Sequence, residues 1–374
     1  MLQLVYPGKA DPETLRAQIP ACDLRLVAGD GTGDLLVEGD NLPVLKHLLD
    51  VRGLAGQVDL VYIDPPFATE QVFTMSEGRG STISRSGGEV AYSDTLTGPA
   101  YLEMLRARLY LLRALLSDQG TIYLHIDYKV GHYVKVLMDE VFGAEQFRND
   151  IARIKCNPKN FARRAYGNVK DLILVYTKTD QYIWHEPYEP YSEADLERLY
   201  PRTDARGRRY TTIPLHAPGE TRDGATSRPF RGIRPPQGRH WRSAVEVLEA
   251  WDQAGLIAWS SKGNPRKIIY ADEQPGKRLQ DVWTFKDPTY PVYPTEKPAA
   301  LLDRIVATSS GPGSLVLDCF CGSGTTLLAA RRQGRRFIGI DRSAAALAQT
   351  RRKLEAAASP NPDHTSTYLT CLAE

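Results

Sequence analysis

Apolar residues along this chain come in short runs separated by polar turns, and the runs keep two different periods. Near the C-terminal side, residues 314–318 (Ser-Leu-Val-Leu-Asp) read as a buried strand entered through the turn Gly311-Pro312-Gly313. A glycine-bearing loop follows, then a helix of good formers over 327–333, stopped by Gly334 at a natural C-terminal cap. Residues 336–340 form the next strand, ending on Asp341, and a further helix covers about 344–357. The same rhythm appears early in the chain. Residues 35–38 are a strand, 41–49 a helix with Leu42, Leu45, Leu48 and Leu49 on one face, and 58–63 a nearly all-apolar strand. Such continuously apolar strands suit the middle of a parallel sheet. An amphipathic helix over 101–116, a strand over 121–126, a helix over 134–142 and a strand over 171–177 continue the alternation.

Two stretches break it. Residues 68–99 are rich in Gly, Ser and Thr and read as a long mobile loop. Residues 180–290 are rich in Arg, Pro, Tyr and Trp without βα alternation, and read as an inserted module. Tyr210, Trp241 and Trp259 within it read as core residues before base-stacking ones.

Composition changes this picture little: 42% hydrophobic and 25% charged residues are ordinary for a soluble enzyme. No apolar run approaches the ~18 residues of a membrane helix, and no basic-then-apolar start marks a signal peptide. The expected location is the cytoplasm, with no membrane partner. Five scattered cysteines suggest no disulfide framework, and Cys319-Phe320-Cys321 lacks a second Cys/His pair at zinc spacing, so no metal is expected.

Charge distribution adds more. Net charge is only +2, but residues 151–290 carry 24 basic against 17 acidic residues. Arg153, Lys155, Lys159, Arg163, Arg164 and Lys170 stand within twenty positions that hold no acid, and ten arginines fall within 202–242. Such a concentration points to a polyanion or to an ordinary solvated face. Among these residues, Arg153, Lys155, Lys159, Arg163, Arg164, Arg208, Arg209, Arg231 and Arg234 are the candidates for nucleic-acid contact.

Two motifs carry chemistry. In Gly322-Ser323-Gly324-Thr325-Thr326, the glycines permit a sharp turn, and amides at a helix start can bind an anion. The loop lacks the third glycine of a dinucleotide site and the lysine of a P-loop, so an amino-acid carboxylate suits it better than a pyrophosphate. Asp341, 17 residues beyond Gly324, is placed to accept hydrogen bonds from ribose hydroxyls. In Asp64-Pro65-Pro66-Phe67, the prolines end the strand and leave carbonyl acceptors in a rigid turn. Alone this is equally a structural turn. As chemistry it answers one problem: an exocyclic amino nitrogen is a poor nucleophile because its lone pair is delocalised. If Asp64 and the Pro65 carbonyl accept its N–H groups, the lone pair can face an electrophilic methyl. Phe67 would then stack on a base swung out of the duplex.

These residues resemble the β group of DNA amino-methyltransferases, including the modification subunits of type III restriction systems. Asp318-Cys319-Phe320-Cys321-Gly322-Ser323-Gly324-Thr325-Thr326 is close to the group's cofactor motif Asp-Pro-Phe-x-Gly-Ser-Gly-Thr-Thr, with Cys319 replacing a proline. Tyr293-Pro294-Thr295-Glu296-Lys297-Pro298 is similar to the segment before a helix that closes over the methionine part of the cofactor, and Asp40 matches a Gly-Asp element near its adenine. Segments 121–128, 142–154 and 172–178 are also similar, so the resemblance covers about two-thirds of the chain; 180–280 matches nothing.

The resemblance implies an α/β, Rossmann-like methyltransferase fold, circularly permuted so that the catalytic motif precedes the cofactor motif, with an inserted target-recognition module. It assigns 1–179 and 287–374 to the catalytic domain and 180–286 to the insert. The implied cofactor is S-adenosylmethionine, released as S-adenosylhomocysteine and held by Asp40, Thr295, Lys297, Asp318, Phe320, Gly322, Gly324, Thr325, Thr326 and Asp341. Strands 314–318, 336–340, 35–38, 58–63 and 121–126 would then share one sheet, with both motifs at the carboxyl ends of neighbouring strands. The implied partner is double-stranded DNA; a homodimer and a cognate restriction subunit are family expectations. Asp64 favours adenine N6 over cytosine N4, the alternative. An RNA or protein-glutamine methyltransferase and a non-catalytic DNA-binding subunit stay open as further readings.

Overall fold

The structure, a computed structural model, describes residues 3–372 except 32, 67–70, 77–78, 81–88, 95–97, 159, 161, 163, 290–295 and 358–365, with backbone alone for 71–76, 79–80, 89–94 and 372. The chain divides into two compact units, one of residues 1–186 and 280–374 and one of residues 187–279.

The larger unit is built on a ten-stranded sheet. Its strands and principal helices, in chain order, are β1 (Asp23–Ala28), β2 (Asp34–Glu38), α1 (Asn41–Asp50), β3 (Val58–Ile63), α2 (Gly98–Leu115), β4 (Leu116–Ile126) and α3 (Tyr128–Phe142). Then come β5 (Phe147–Ile154), β6 (Lys170–Thr177), β7 (Val282–Thr284), α4 (Ala299–Ser309), β8 (Leu315–Asp318), α5 (Thr325–Arg332), β9 (Arg336–Asp341), α6 (Ala344–Ala356) and β10 (Ser366–Leu372). Across the sheet they lie in the order β1, β10, β2, β9, β8, β3, β4, β6, β5, β7.

The central run from β10 to β4 is parallel, and its strands are the apolar ones. Val58, Leu60, Val61, Ile63, Val316 and Leu317 are all fully buried, as a strand covered by helices on both faces requires. β8 and β3 are neighbours, Val316 beside Leu60 and Leu317 beside Val61, so the cofactor loop and the proline turn leave adjacent strand ends as expected. Strands 35–38 and 58–63 share the sheet without bordering each other. β9 and β8 lie between β2 and β3, because helices α5 and α6 carry the chain from β8 outward through β9. The sequence also left two partners unseen: β1 and β10 pair antiparallel and extend the edge beyond β2.

Helix α3 starts earlier than its apolar period, at Tyr128, because the Asp127 carboxylate accepts from the Lys129 amide and caps the first turn. The 68–99 stretch is not wholly a loop. Residues 71–76 pair antiparallel with 89–94 and with 79–80 in a three-stranded sheet.

The smaller unit has a four-stranded antiparallel sheet of 202–203, Arg209–Pro214, Pro265–Tyr270 and Ile257–Trp259. Helix Val245–Gln253 buries Val245 and Leu248 against Leu215, Phe230 and Trp241. Trp241 is fully buried, whereas Trp259 stacks on Phe230 at 6.3 Å and is 41% exposed. Among the described residues no helix is long and apolar enough to cross a membrane.

Candidate functional site

The parallel register brings Glu38 opposite Asp341 and Asp318 opposite Gly339, so four strands end at one edge: β2, β9, β8 and β3. Past these ends stand Asp40, Asp341, the glycine loop and the proline turn.

The loop is held by its own acids. Asp318, fully buried at the end of β8, accepts from the Phe320 amide at 3.0 Å and from the Thr326 hydroxyl. Asp341 accepts from the Gly322 amide at 2.8 Å through Oδ2 and from the Ser343 amide at 2.9 Å through Oδ1. Thr350, buried on α6, donates to the Gly322 carbonyl at 2.9 Å. Gly324 caps α5 in a left-handed conformation, φ 77°, and a Cβ there would stand 2.4 Å from the Thr350 methyl. The first-turn amides of α5 have no intrahelical acceptor, which leaves donors pointing into the loop. Cys319 and Cys321 are buried packing residues.

The electrostatics of this edge are strongly anionic. Burial pushes the Asp318 carboxyl up to about 7, against the pull of its two hydrogen bonds and with help from the negative charges of Asp64 and Asp341. Burial also raises Asp341. Both carboxyls are thus held above their ordinary range by burial.

Asp64 follows β3 with its carboxylate mostly covered. Its Oδ2 is paired with the ammonium of Lys297, and its Oδ1 is buried with no hydrogen-bond partner among the described residues. Pro65 is buried beside it. Beneath this turn runs a buried polar chain. The Tyr62 hydroxyl donates to His125 Nδ1 at 2.9 Å, and His125 Nε2 faces Asp171 at 3.3 Å, which assigns the ring proton to Nε2. Burial lowers the affinity of His125 for a proton. Burial alone would raise Asp171, but its bonds to His125 and Lys155 hold its carboxyl well below the usual range.

Residues 58–352 match the model of the N6/N4 DNA methylase family. The chain belongs to that family. It is 38% identical over 98% of its length to the type II methyltransferase M.EcaI of Enterobacter cloacae, spanning 80% of that protein. It is 27% identical over 80% of its length to the StyLTI type III Mod subunit of Salmonella typhimurium, of which it spans half. Among solved structures, the cytosine-N4-specific PvuII DNA methyltransferase is 13% identical, with 89% of each chain covered and a TM-score of 0.48.

Against this DNA methylase framework the individual residues fall unevenly. Asp40 caps α1 through the Leu42 amide and pairs with the buried Arg108 at 2.9 Å, a partner that no sequence signal marked. Arg108 in turn donates to Asn41, whose amide reaches the Cys319 carbonyl, so α2 braces the cofactor loop from below. Phe67, Thr295, Lys159 and Arg163 lie outside the described residues.

The clearest correction concerns Arg153. It is not a DNA contact: its side chain is fully buried, bonded to Asp171, Asp287 and the Phe285 carbonyl, and it fastens the β7 edge. Charge counting assigned it outward because neither acid lies near it in sequence. Lys155 is likewise engaged, with Asp171 at 2.5 Å and Asp127 at 3.8 Å. Arg164 and Arg234 are exposed. Arg208 pairs with Asp272 and Glu273, Arg209 with Glu193, and Arg231 with Asp252, all near the surface.

Proposed function

We propose that this DNA methylase transfers a methyl group from S-adenosylmethionine to the exocyclic amino group of a base flipped out of double-stranded DNA, with adenine N6 preferred and cytosine N4 the alternative. The observation that carries the reading is the half-used Asp64 carboxylate, one oxygen paired and the other buried and unmet, at the strand end beside the glycine loop.

The loop fits the cofactor. Asp318, Phe320, Gly322, Gly324, Thr325 and Thr326 line the turn, with Asp341 and Asp40 at the neighbouring strand ends. Free amides at the start of α5 suit a carboxylate, and the anionic edge suits a cationic sulfonium. S-adenosylmethionine supplies an electrophilic methyl and leaves as S-adenosylhomocysteine. Asp64 Oδ1 and the Pro65 carbonyl accept the two N–H groups of the target, drawing its nitrogen toward tetrahedral geometry. As nitrogen–carbon bonding develops, the fixed Asp64 charge stabilises the positive nitrogen, and one amino proton leaves toward that carboxylate. Phe67 stacks on the displaced base.

Residues 187–279 form the target-recognition module. Arg208, Arg209 and Arg231 trade surface acids for phosphates, which is affordable because exposed ion pairs are worth only ~0.2–1 kcal/mol. Arg164, Arg234, Lys159 and Arg163 add backbone contacts. The length match to a type II methyltransferase favours action as an independent modification enzyme, with dimerisation and a restriction subunit as assembly outcomes to be measured.

The direct test incubates the protein with S-adenosylmethionine and unmethylated genomic DNA, then hydrolyses the DNA to nucleosides. N6-methyl-2′-deoxyadenosine as the product is expected. N4-methyl-2′-deoxycytidine would reverse the base preference, and no methylated nucleoside under conditions where the cofactor binds would sink the reading.

Cofactor binding should also depend on pH with a definite sign. A sulfonium near Asp318 favours its carboxylate, so the bound-state pKa lies below the value of about 7 in the free chain. Binding below pH 7 must then expel a proton, and affinity should weaken on acidification by up to about tenfold per pH unit. Above 7 it should level off. Calorimetry on S-adenosylmethionine between pH 5.5 and 8.5 checks this, and S-adenosylhomocysteine, lacking the sulfonium, should show a shallower slope. A flat profile for both would remove Asp318 as the electrostatic partner.

A further inference from the structure

Lys297 stands in sequence among residues expected to hold the cofactor, yet its ammonium is bound elsewhere. It donates to Oδ2 of Asp64, 233 positions away, with only 9% and 16% of the two side chains exposed. A carboxylate is a two-fold rotor that can present either oxygen. Pinned by one, it presents the other in a fixed direction, and here that other oxygen, Oδ1, is the buried one without a partner among the described residues.

The backbone that carries Lys297 is itself fixed on both sides. Pro298, with φ held by its ring, caps α4. Glu296 is paired with Lys353 of α6, and the same Lys353 ammonium donates to Ser323 Oγ at 3.1 Å in the glycine loop. Polar contacts therefore run from Ser323 through Lys353 to Glu296, and the backbone carries the link on to Lys297 and its ion pair with Asp64. Every member belongs to the larger unit.

We propose that Lys297 is a positioning residue for methyl transfer: it clamps Asp64 Oδ2 so that Oδ1 faces the target amino group, and Glu296–Lys353–Ser323 ties that clamp to the cofactor loop. This rests on the reading of Asp64 as the acceptor of the target N–H. The clamp also places a positive charge against Asp64 at an edge that already holds Asp318 and Asp341.

The consequence separates rate from binding. In the full chain, Lys297→Met should lower the single-turnover rate at saturating cofactor and DNA by about 100-fold, the usual effect of a misplaced reacting group. Affinity for S-adenosylhomocysteine by calorimetry, and for duplex DNA by anisotropy, should change by less than about threefold. Lys297→Arg should recover at least about a tenth of the rate, because a guanidinium can also hold a carboxylate oxygen. Glu296→Gln should lower the rate by about three- to tenfold in the same pattern. If Lys297→Met lost S-adenosylhomocysteine affinity by more than about 30-fold and kept its saturated rate, Lys297 would be a cofactor ligand and the proposal would be overturned. An unchanged rate in Lys297→Met would overturn it equally. Should Lys297→Met fail to fold by circular dichroism, Glu296→Gln decides, and a wild-type rate there rejects the clamp. Failure of the underlying reading shows elsewhere: Asp64→Asn at the wild-type rate would remove Asp64 from the chemistry whatever the lysine variants do.

Discussion

Asp64→Ala is expected to lower the single-turnover rate of methyl transfer by at least ~10³-fold while S-adenosylhomocysteine still binds within about threefold of wild type. Two losses combine. The target nitrogen loses its charged acceptor, and the pinned geometry that replaces solvent reorganisation disappears. The alanine variant also removes the carboxylate paired with the nearly buried Lys297 ammonium, and breaking such a pair destabilises a fold. A lower melting temperature should therefore accompany the lost activity. Asp64→Asn separates the two effects. Its carbonyl oxygen will turn to Lys297, the stronger donor, leaving the NH2 to face the target amino group. Donor then meets donor. The asparagine protein should fold and bind cofactor normally, yet transfer methyl ~10²–10³-fold more slowly, as when one fixed partner of a developing charge is lost. Rapid quench with tritiated cofactor measures both, and more than a tenth of the wild-type rate in either variant would contradict the mechanism.

Gly324→Ala should weaken the cofactor rather than the chemistry. The residue holds φ 77° at the cap of α5, where an L side chain costs ~1–2 kcal/mol, or about 5–30-fold in affinity. Its new methyl would also stand 2.4 Å from the Thr350 methyl and 2.8 Å from its hydroxyl. Thr350 cannot withdraw: it is fully buried and bonded to the carbonyls of Gly322 and Ala346. The loop must open instead, and calorimetry should show S-adenosylmethionine affinity down by about 100-fold or more. The double variant Gly324→Ala/Thr350→Ser removes the methyl at 2.4 Å and keeps the hydroxyl at 2.8 Å, so it should recover part of the steric share and leave the backbone share. Equal affinity in single and double variants would mean that the clash with α6 is not what the glycine avoids.

How much of this could be read in the amino acids alone follows from the range of each interaction. Val58–Ile63 and 314–318 were legible because a strand covered on both faces needs no long-range knowledge to be apolar. Their adjacency followed from the chemistry, since a methyl donor and its acceptor must meet. The position of β9 and β8 between β2 and β3 was not legible, because order across a sheet is set by how helices pack. Strand β10 lacks a strong period of its own and is defined by its two neighbours, Asp34 pairing with Ser366 on one side and Asp23 with Leu372 on the other. Local counting misled most at Arg153. Six bases in twenty residues look like a polyanion surface until Asp171 and Asp287 are brought to that guanidinium by the fold. Lys297 shows the same limit more gently: the motif marked it, but only the turn of β3 reveals that it faces Asp64.

The interleaving of the central sheet also has a consequence for synthesis. β8 and β9 leave the ribosome about 250 to 300 residues after β3 and β2, the strands whose facing edges they fill. Until then two highly apolar strands are exposed with unpaired edges, the kind of nascent surface that aggregates or recruits chaperones. Assembly of the centre must close a very long loop at once. A translating ribosome therefore carries the Asp64 turn for about 250 residues before the glycine loop has been made. The two meet only when the strand bearing the glycine loop slides in beside the strand bearing the acid.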